Sequence, residues 1–347
     1  MDKARKKHKL YEICLMRVLC ALGIIVYHFN GRSACNIKIF DRIANGFWGP
    51  ILVTIFFSIS GAVLYYNYNG SFNIVRFYYK RWKSIYPAFY LCFIYLYLQN
   101  VFKYGKIFYN DKPASLILSF LGLDGYFYYK SPNYYLIGEW FIGAIIMLYI
   151  IYPLLVKVYN KQPLVTIAIV LAGYAFILNT NFFTISVSRN LISCLISFLF
   201  GIVAIQNKSI IENKLTIIIS TFITVIVLFV SIPIPNDISQ HIAGFALFIV
   251  LWNLGKIVMK RNVINIIITE LDKITFHIFL YQNIAIGKFI GLKNPTSLGK
   301  KIIWCLIVII YTIICAKIIS VVVASIINSK PMKKIDSYFL EPKKQTK

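Results

Sequence analysis

The sequence has 347 residues, of which 59% are hydrophobic and only 14% are charged, and its mean hydropathy is +0.71. A soluble domain of this size would have too little polar surface to cover so many apolar side chains, so an ordinary soluble enzyme is excluded. The net charge of +25 raises the question of nucleic acid, but the basic residues lie in short loops and tails between apolar stretches. Membrane topology and contact with anionic lipid head groups explain them better, and we expect no nucleic-acid partner.

Apolar stretches long enough to span a bilayer recur along the whole chain. The sequence therefore predicts an all-α, polytopic membrane bundle of about ten helices, formed by one transmembrane domain over residues 10–328 between basic tails at 1–9 and 329–347. The segment 114–124 is apolar but too short to span, so we expect it to be re-entrant or interfacial. The predicted spans are residues 12–31, 47–67, 84–103, 134–157, 163–180, 187–206, 214–233, 240–259, 274–291 and 301–328.

The distribution of Lys and Arg predicts the orientation of this bundle. An even number of spans puts both termini on one side, and most of the basic residues then fall in the segments on that side. By the positive-inside rule, both termini are predicted to be cytoplasmic. The C-terminal tail is short, polar and basic, so it cannot hold a core, and we expect it to be disordered or bound to the membrane surface.

The seven cysteines do not indicate a metal or disulfide framework. They are odd in number, show no Cys-x-x-Cys spacing, and lie mostly within apolar runs. Such cysteines are typical of small buried residues, so we expect no metal site.

The first span carries two ionisable residues, Arg17 near its start and His28 near its end. On an α-helix they return to within roughly 20° of one another, about 16 Å apart along the axis. Ionisable groups inside membrane helices are costly and usually face a protein interior or a water-filled cavity. We therefore expect this face of the helix to line a passage, with the histidine deeper than the arginine.

A cluster of cations and aromatic residues precedes the third span, over residues 77–87. Anchoring at the membrane surface is one explanation, and it fits many membrane proteins. The other is a patch for a phosphorylated cofactor such as coenzyme A, because arginine offers phosphate a two-pronged donor and lysine a point charge. In both explanations Pro87 lies in the first turn of the third helix, where its missing N–H costs nothing.

Five segments in chain order resemble the acyltransferase-3 family of integral membrane acyltransferases, and the resemblance covers about residues 10–328. They are Arg17-x10-His28, Phe56-Phe57-Ser58-Ile59-Ser60-Gly61, Lys80-Arg81-x-x-Ser84-Ile85-Tyr86-Pro87, Trp140-Phe141-Ile142 through Tyr152-Pro153-Leu154-Leu155, and Ile274-Thr275-Phe276-His277-Ile278-Phe279-Leu280-Tyr281.

The chain departs from the family pattern at three positions. Ser84 stands where an arginine is usual, so Arg81 with Lys80 or Lys83 is the expected grip on the donor's phosphates. Ile145 stands where many members have glutamate, and Gln282 stands where they have a late histidine. His28 is thus left as the histidine that matches the family's catalytic position.

The resemblance implies a multi-pass enzyme of the bacterial cytoplasmic membrane that moves an acyl group, commonly acetyl, from cytoplasmic acetyl-CoA to a saccharide hydroxyl. Capsule, O-antigen or exopolysaccharide would be the acceptor, polysaccharide-assembly proteins possible partners, and no cofactor would be permanently bound. Arg17 and His28 inherit the catalytic assignment. Imidazole suits a base near neutral pH, with transfer through an acetyl-histidine as the second alternative, while Arg17 would guide the donor or stabilise developing charge.

Four further residues are candidate substrate contacts: Tyr27, Ser60, Glu139 and Trp140. Structural explanations stand beside these functional ones. The Ser60-Gly61 pair is typical of close helix packing. Internal ion pairing or snorkelling explains Glu139, and likewise Glu270, Asp272 and Lys317, as well as function does. His241 and His277 are predicted to be structural.

Two other functions remain open at this stage. A transporter or flippase of a lipid-linked saccharide would share the bundle, its polar lining and its charge, although no paired half-sequences indicate inverted repeats. A non-catalytic membrane sensor could keep the same scaffold, since two common polar positions are lost.

Overall fold

The computed structural model describes residues 9–33, 37–109, 112–130, 132–137, 140–292 and 297–340, leaving out the side chains of 291 and 292. These residues are almost entirely helical, which confirms the predicted all-α membrane bundle. The chain divides into two compact units. The first comprises Met1–Asn69, Val158–Thr275 and Ile286–Ile309, and the second Gly70–Lys157, Phe276–Ala285 and Ile310–Lys347.

The helices and strands follow one another with short connections. In the first half of the chain they are α1 (Tyr11–Arg32), α2 (Lys38–Asp41), β1 (Arg42–Ile43), β2 (Gly46–Phe47), α3 (Trp48–Tyr68), α4 (Ile74–Tyr104), a 3-10 turn (Pro113–Ser115), α5 (Leu116–Phe120), α6 (Asp124–Phe127) and α7 (Phe141–Lys161). In the second half they are α8 (Pro163–Asn179), a 3-10 turn (Val187–Arg189), α9 (Leu191–Gln206), α10 (Lys208–Ile211), α11 (Lys214–Phe229), α12 (Asn236–Val258), α13 (Asn262–Asp272), α14 (Thr275–Leu292), α15 (Leu298–Ile327) and α16 (Lys330–Leu340).

Each of the ten predicted spans coincides with one of these helices. Within the described residues, six helices are long and apolar enough to cross a membrane, namely α1, α3, α4, α7, α12 and α15. The helices α8, α9 and α11 are apolar but shorter, with 17, 16 and 16 residues. The segment predicted to be too short to span folds into α5 and α6 and a 3-10 turn.

Helix α4 begins ten residues earlier than predicted, and this changes the position of Pro87. The helix starts at Ile74, where the Asn73 side chain accepts a hydrogen bond from the Arg76 N–H and caps it. Pro87 therefore lies inside the helix and not in its first turn. With 31 residues, α4 is about 46 Å long against an apolar bilayer core of about 30 Å. The residues around Lys80 are thus helical.

In the first unit, glycines bring α3 and α9 into direct backbone contact. A β-carbon on Gly61 would overlap the carbonyl oxygen of Phe198, and one on Gly201 would overlap that of Ser58. The Ser58 hydroxyl donates to the carbonyl oxygens of Thr54 and of Ser197 across the contact, at 2.8 and 2.9 Å. The prediction that Ser60-Gly61 serves close helix packing is confirmed for Gly61.

In the second unit, aromatic side chains and the C-terminal helix pack on α4. Tyr86 and Tyr90 donate their hydroxyl protons to the carbonyl oxygens of Leu121 and Phe120, which fixes the short helices α5 and α6 against it. Helix α16 also contacts α4, so residues 330–340 are an ordered helix and not a disordered tail.

Candidate functional site

Helix α1 carries Arg17 and His28 toward opposite ends. Arg17 follows the first residue of the helix by less than two turns, and His28 precedes the last residue by about one turn. Both side chains are half-buried, whereas the residues between them that face the first unit's core, such as Cys20 and Ile24, are buried. The histidine therefore lies near the opposite end of α1 from the arginine, and its depth in the membrane stays a prediction.

The Arg17 guanidinium lines a cavity of about 240 Å³ in the first unit. Its Nη1 donates to Oδ1 of Asp272, the last residue of α13, at 2.7 Å. The prediction of internal ion pairing is thereby confirmed for Asp272. The remaining lining residues supply a cation, a hydroxyl group, an amide group and apolar side chains. They are Lys9, Leu10, Ile13, Cys14, Val63, Tyr66 and Asn67.

At the other end of α1, the His28 ring lies among aromatic and cationic neighbours. The Tyr27 ring meets it edge-on, with 5.4 Å between ring centroids, and Tyr27 itself packs on Gly49. Arg32, one turn later on α1, and Arg189, before α9, are near enough for their charges to act on the imidazole. The histidine is thus within electrostatic range of two guanidinium groups, whose charge would attract an anionic or strongly polar ligand.

Of the two phosphate grips predicted on α4, the one that pairs Arg81 with Lys83 does not converge. Because Lys80, Arg81 and Lys83 are helical, Arg81 and Lys83 point about 200° apart around the axis. Arg81 lies over the rings of Phe77 and Tyr149, at 5.9 and 5.7 Å from their centroids. Lys80 is exposed. A single phosphate on one face of α4 could not be held by Arg81 and Lys83 together.

The Lys83 ammonium is bound by an aspartate of α16. Its Nζ lies 2.7 and 2.6 Å from the two carboxylate oxygens of Asp336, and the Tyr79 hydroxyl donates to the same carboxylate at 2.8 Å. The ring of Phe339 stacks on Tyr79 with 4.7 Å between centroids. The hydrogen bonds from Lys83 and then Tyr79 hold the pKa of Asp336 below its usual range. The charge of Lys83 is therefore balanced within the protein.

Of the other predicted substrate contacts, Ser60 belongs to the first unit and Trp140 to the second. The Ser60 hydroxyl donates to the Phe56 carbonyl oxygen one turn earlier at 2.9 Å, a local bond within α3. Trp140 is half-buried immediately before α7. Glu139 lies outside the described residues.

Two histidines that were predicted to be structural differ in their surroundings. His241 is buried, and its ring nitrogens lie 2.7 Å from the Asp237 carbonyl oxygen, 3.0 Å from the Tyr174 hydroxyl and 3.3 Å from the Ser193 carbonyl oxygen. The ring nitrogens of His277 are buried and have no hydrogen-bond partner among the described residues.

Asp124, in the second unit, carries a buried carboxyl group that the sequence pattern does not reveal. Burial raises the pKa of this side chain to about 6, although the Gly125 N–H donates to it at 2.9 Å. The Asn133 side chain donates to its backbone carbonyl oxygen. The Asp-Gly pair in the sequence indicates only a turn, so nothing in the pattern pointed to burial.

The sequence profile of the acyltransferase-3 family, described as an acyltransferase domain, matches residues 10–321. A comparison with curated proteins and one with solved structures find no match.

Proposed function

The chain belongs to the acyltransferase-3 family, and we propose that it transfers an acetyl group from cytoplasmic acetyl-CoA to a hydroxyl group of a cell-surface or lipid-linked saccharide. Family membership makes the chain a multi-pass membrane acyltransferase. The acetyl group, the coenzyme A thioester, the saccharide and a bacterial cytoplasmic membrane with both termini inside belong to the proposal.

The observation that carries this proposal is the arrangement of α1. One helix has an arginine at the wall of a cavity near its start and a histidine near its end, about 16 Å apart along the axis. That separation exceeds the combined reach of the two side chains. Arg17 and His28 would therefore act on different parts of one elongated donor, or on the donor and the acceptor.

His28 would serve as the general base. In the proposed reaction its imidazole removes the proton from the acceptor hydroxyl while the hydroxyl oxygen bonds to the thioester carbonyl carbon. The carbon–sulfur bond then breaks, the thiolate takes the proton from the imidazolium, and the products are the acetyl ester and the coenzyme A thiol. Transfer through an acetyl-histidine remains the second route.

Arg17 would guide the donor. It would not stabilise the oxyanion that forms at the thioester carbonyl carbon, where the acceptor hydroxyl adds. The Arg17 guanidinium is hydrogen-bonded to Asp272 of α13. The distance between Arg17 and His28 along α1 prevents both side chains from contacting the same atom. Arginine binds phosphate and carbonyl oxygens well, and the cavity beside it also offers Lys9, Tyr66 and Asn67. Lys80 and Arg81 on α4 remain proposed contacts for the donor's phosphates.

The test is transfer of radiolabel from [¹⁴C]acetyl-CoA to surface glycan in membranes that contain the wild-type chain, His28→Ala or His277→Ala. We expect His28→Ala to reduce labelling at least about 100-fold, the lower end of the range for a general base, at an unchanged protein level. His277→Ala is the matched control, since it removes a half-buried imidazole without breaking a hydrogen bond to any described residue, and it should keep its activity.

The outcomes separate the three functions. Label on the glycan that depends on His28 supports the enzyme. Translocation of unlabelled glycan without acetylation would indicate a flippase, and neither activity would indicate a sensor. Wild-type labelling that survives in His28→Ala would remove this histidine from the mechanism.

A further inference from the structure

Helix α13 joins one of the two signature residues to the membrane surface. This 11-residue helix leaves Val263, Ile266 and Ile267 exposed, which is typical of an interfacial amphipathic helix. Its last residue, Asp272, instead turns into the first unit, where its side chain is only 9% exposed, and contacts Arg17. The Arg17 guanidinium is the cation that balances the charge of this largely buried carboxylate.

We propose that Asp272 is a positioning residue, which holds the Arg17 guanidinium at the cavity wall so that its remaining N–H groups can bind the donor. This inference rests on the proposed function and adds to it the group that fixes Arg17. A long, flexible arginine loses side-chain entropy when it binds a ligand, and a tether that orders it beforehand reduces that cost.

The contact is a tether because it uses only part of the guanidinium. A guanidinium has five N–H donors, and the contact with Asp272 is made through Nη1 alone, at 2.7 Å. In the described part of the chain, Nε and Nη2 of Arg17 make no hydrogen bond. A two-pronged pair with the carboxylate would have used a second N–H group, whereas this single contact leaves the N–H groups of Nε and Nη2 for a ligand.

The charges around the cavity also favour an oxygen-rich, anionic ligand. Lys9 and Arg17 contribute two cations, and Asp272 is the one carboxylate among the lining residues described. The Cys14 thiol, one turn before Arg17, is close enough to hydrogen-bond Asp272. The cavity therefore remains cationic after the ion pair has formed, as a site for the phosphates or carbonyl groups of the donor requires.

The experiment compares Asp272→Ala and Asp272→Asn with the wild-type chain, using purified protein, acetyl-CoA as the probe and surface glycan as the acetyl acceptor, and following release of the coenzyme A thiol. If Arg17 binds donor, losing its tether should raise KM for acetyl-CoA about tenfold, the effect of about 1.4 kcal/mol, with kcat within about threefold. Asp272→Asn keeps an acceptor oxygen at the same place and should raise KM less.

The matched control is Glu270→Gln, two residues earlier on α13. This carboxylate forms an exposed pair with Lys273 at 2.5 Å, so the variant changes the charge of α13 by the same amount but leaves Arg17 untouched. It should have the wild-type KM. An equal rise in KM in this control, or no rise in Asp272→Ala, would overturn the proposal.

A charge swap separates positioning from simple stabilisation. In Arg17→Asp with Asp272→Arg the ion pair can form again, but the guanidinium then extends from α13. We expect thermal stability in detergent to recover and KM to stay high. If the swap restored KM as well, Asp272 would have only a structural role.

Failure of the underlying function is recognised separately, from the wild-type chain alone. If that chain neither binds coenzyme A by calorimetry nor releases thiol from acetyl-CoA, the proposed function and this inference both fall. If it binds coenzyme A without turnover, the dissociation constants of the Asp272 variants replace KM, with the same expected order.

Discussion

Two of the cationic residues predicted for the site are each paired with an aspartate from an amphipathic helix, and the two pairs are built differently. Arg17 makes a single contact with Asp272 of α13 and lines a cavity. Lys83 has both carboxylate oxygens of Asp336 on its ammonium, and Tyr79 donates to the same carboxylate. The first pair leaves its cation able to bind a ligand, whereas the second neutralises its cation. On the proposed function, we therefore expect Arg17 to bind the donor and Lys83 to dock α16 on α4.

The largest effect should come from removing the two cations in turn. We expect Arg17→Ala to lower kcat/KM for acetyl-CoA about 100-fold, the effect of about 2.8 kcal/mol, which lies within the range of about 2 to 5 kcal/mol for truncating one member of a charged contact. Lys83→Ala should lower it by no more than about threefold, since the ammonium is already bound within the protein. Initial rates at limiting acetyl-CoA measure both.

Arg17→Lys is the control for charge alone, and it should fall between Arg17→Ala and the wild-type chain. Equal losses in Arg17→Ala and Lys83→Ala would contradict the comparison, because Lys83 would then also act on the donor.

A smaller effect is expected from Asp336→Asn, which weakens the docking of α16. The pair is about one-fifth exposed, so we expect a loss of about 1 kcal/mol. Hydrogen–deuterium exchange of residues 330–340 should rise about fivefold, with α13 unchanged and kcat/KM within about twofold. If the exchange of α16 stayed the same, two other contacts would be sufficient to hold it: the stacking of Phe339 on Tyr79 and the hydrogen bond that Arg76 Nη2 donates to the Leu340 carbonyl oxygen at 2.5 Å.

The smallest effect concerns pH. The folded-state pKa of Asp336 is depressed, so its contribution to docking is fully present above the ordinary carboxyl pKa of about 3.9 and is lost as pH falls through the lowered value. Pepsin should therefore cut α16 in the wild-type chain only at the acid end of a series from about pH 5 to about pH 2. Asp336→Asn should be cut throughout that series, and a wild-type chain cut equally at every pH would contradict the assignment.

The ten apolar helices could be predicted because each coincides with an apolar run, and a helix satisfies its own backbone polar groups in a bilayer. The start of α4 could not, since residues 74–83 mix cations with aromatic rings and break the apolar run. The helices α13 and α16 are short and amphipathic, with 11 residues each. Because each has a polar face, neither forms the continuous apolar run by which a membrane span is identified.

The candidate site could be predicted only in part, because some of its contacts join distant segments of the chain. Arg17 and His28 share one helix, so their spacing along the axis follows from the chain. The contact between Arg17 and Asp272 joins residues 255 positions apart, and no local pattern encodes such a pairing. The neutralisation of Lys83 depends likewise on a residue 253 positions away. Pairing between distant segments is set by tertiary packing, which a single sequence does not display.

The backbone contact between α3 and α9 has a mechanical consequence. With Gly61 seated on Phe198 and Gly201 on Ser58, neither helix can slide along the other by one residue without driving a side chain into a carbonyl oxygen. The two helices thus keep a fixed register relative to each other inside the first unit. Any rocking or gating that accompanies turnover has to occur in parts of the chain other than this helix pair.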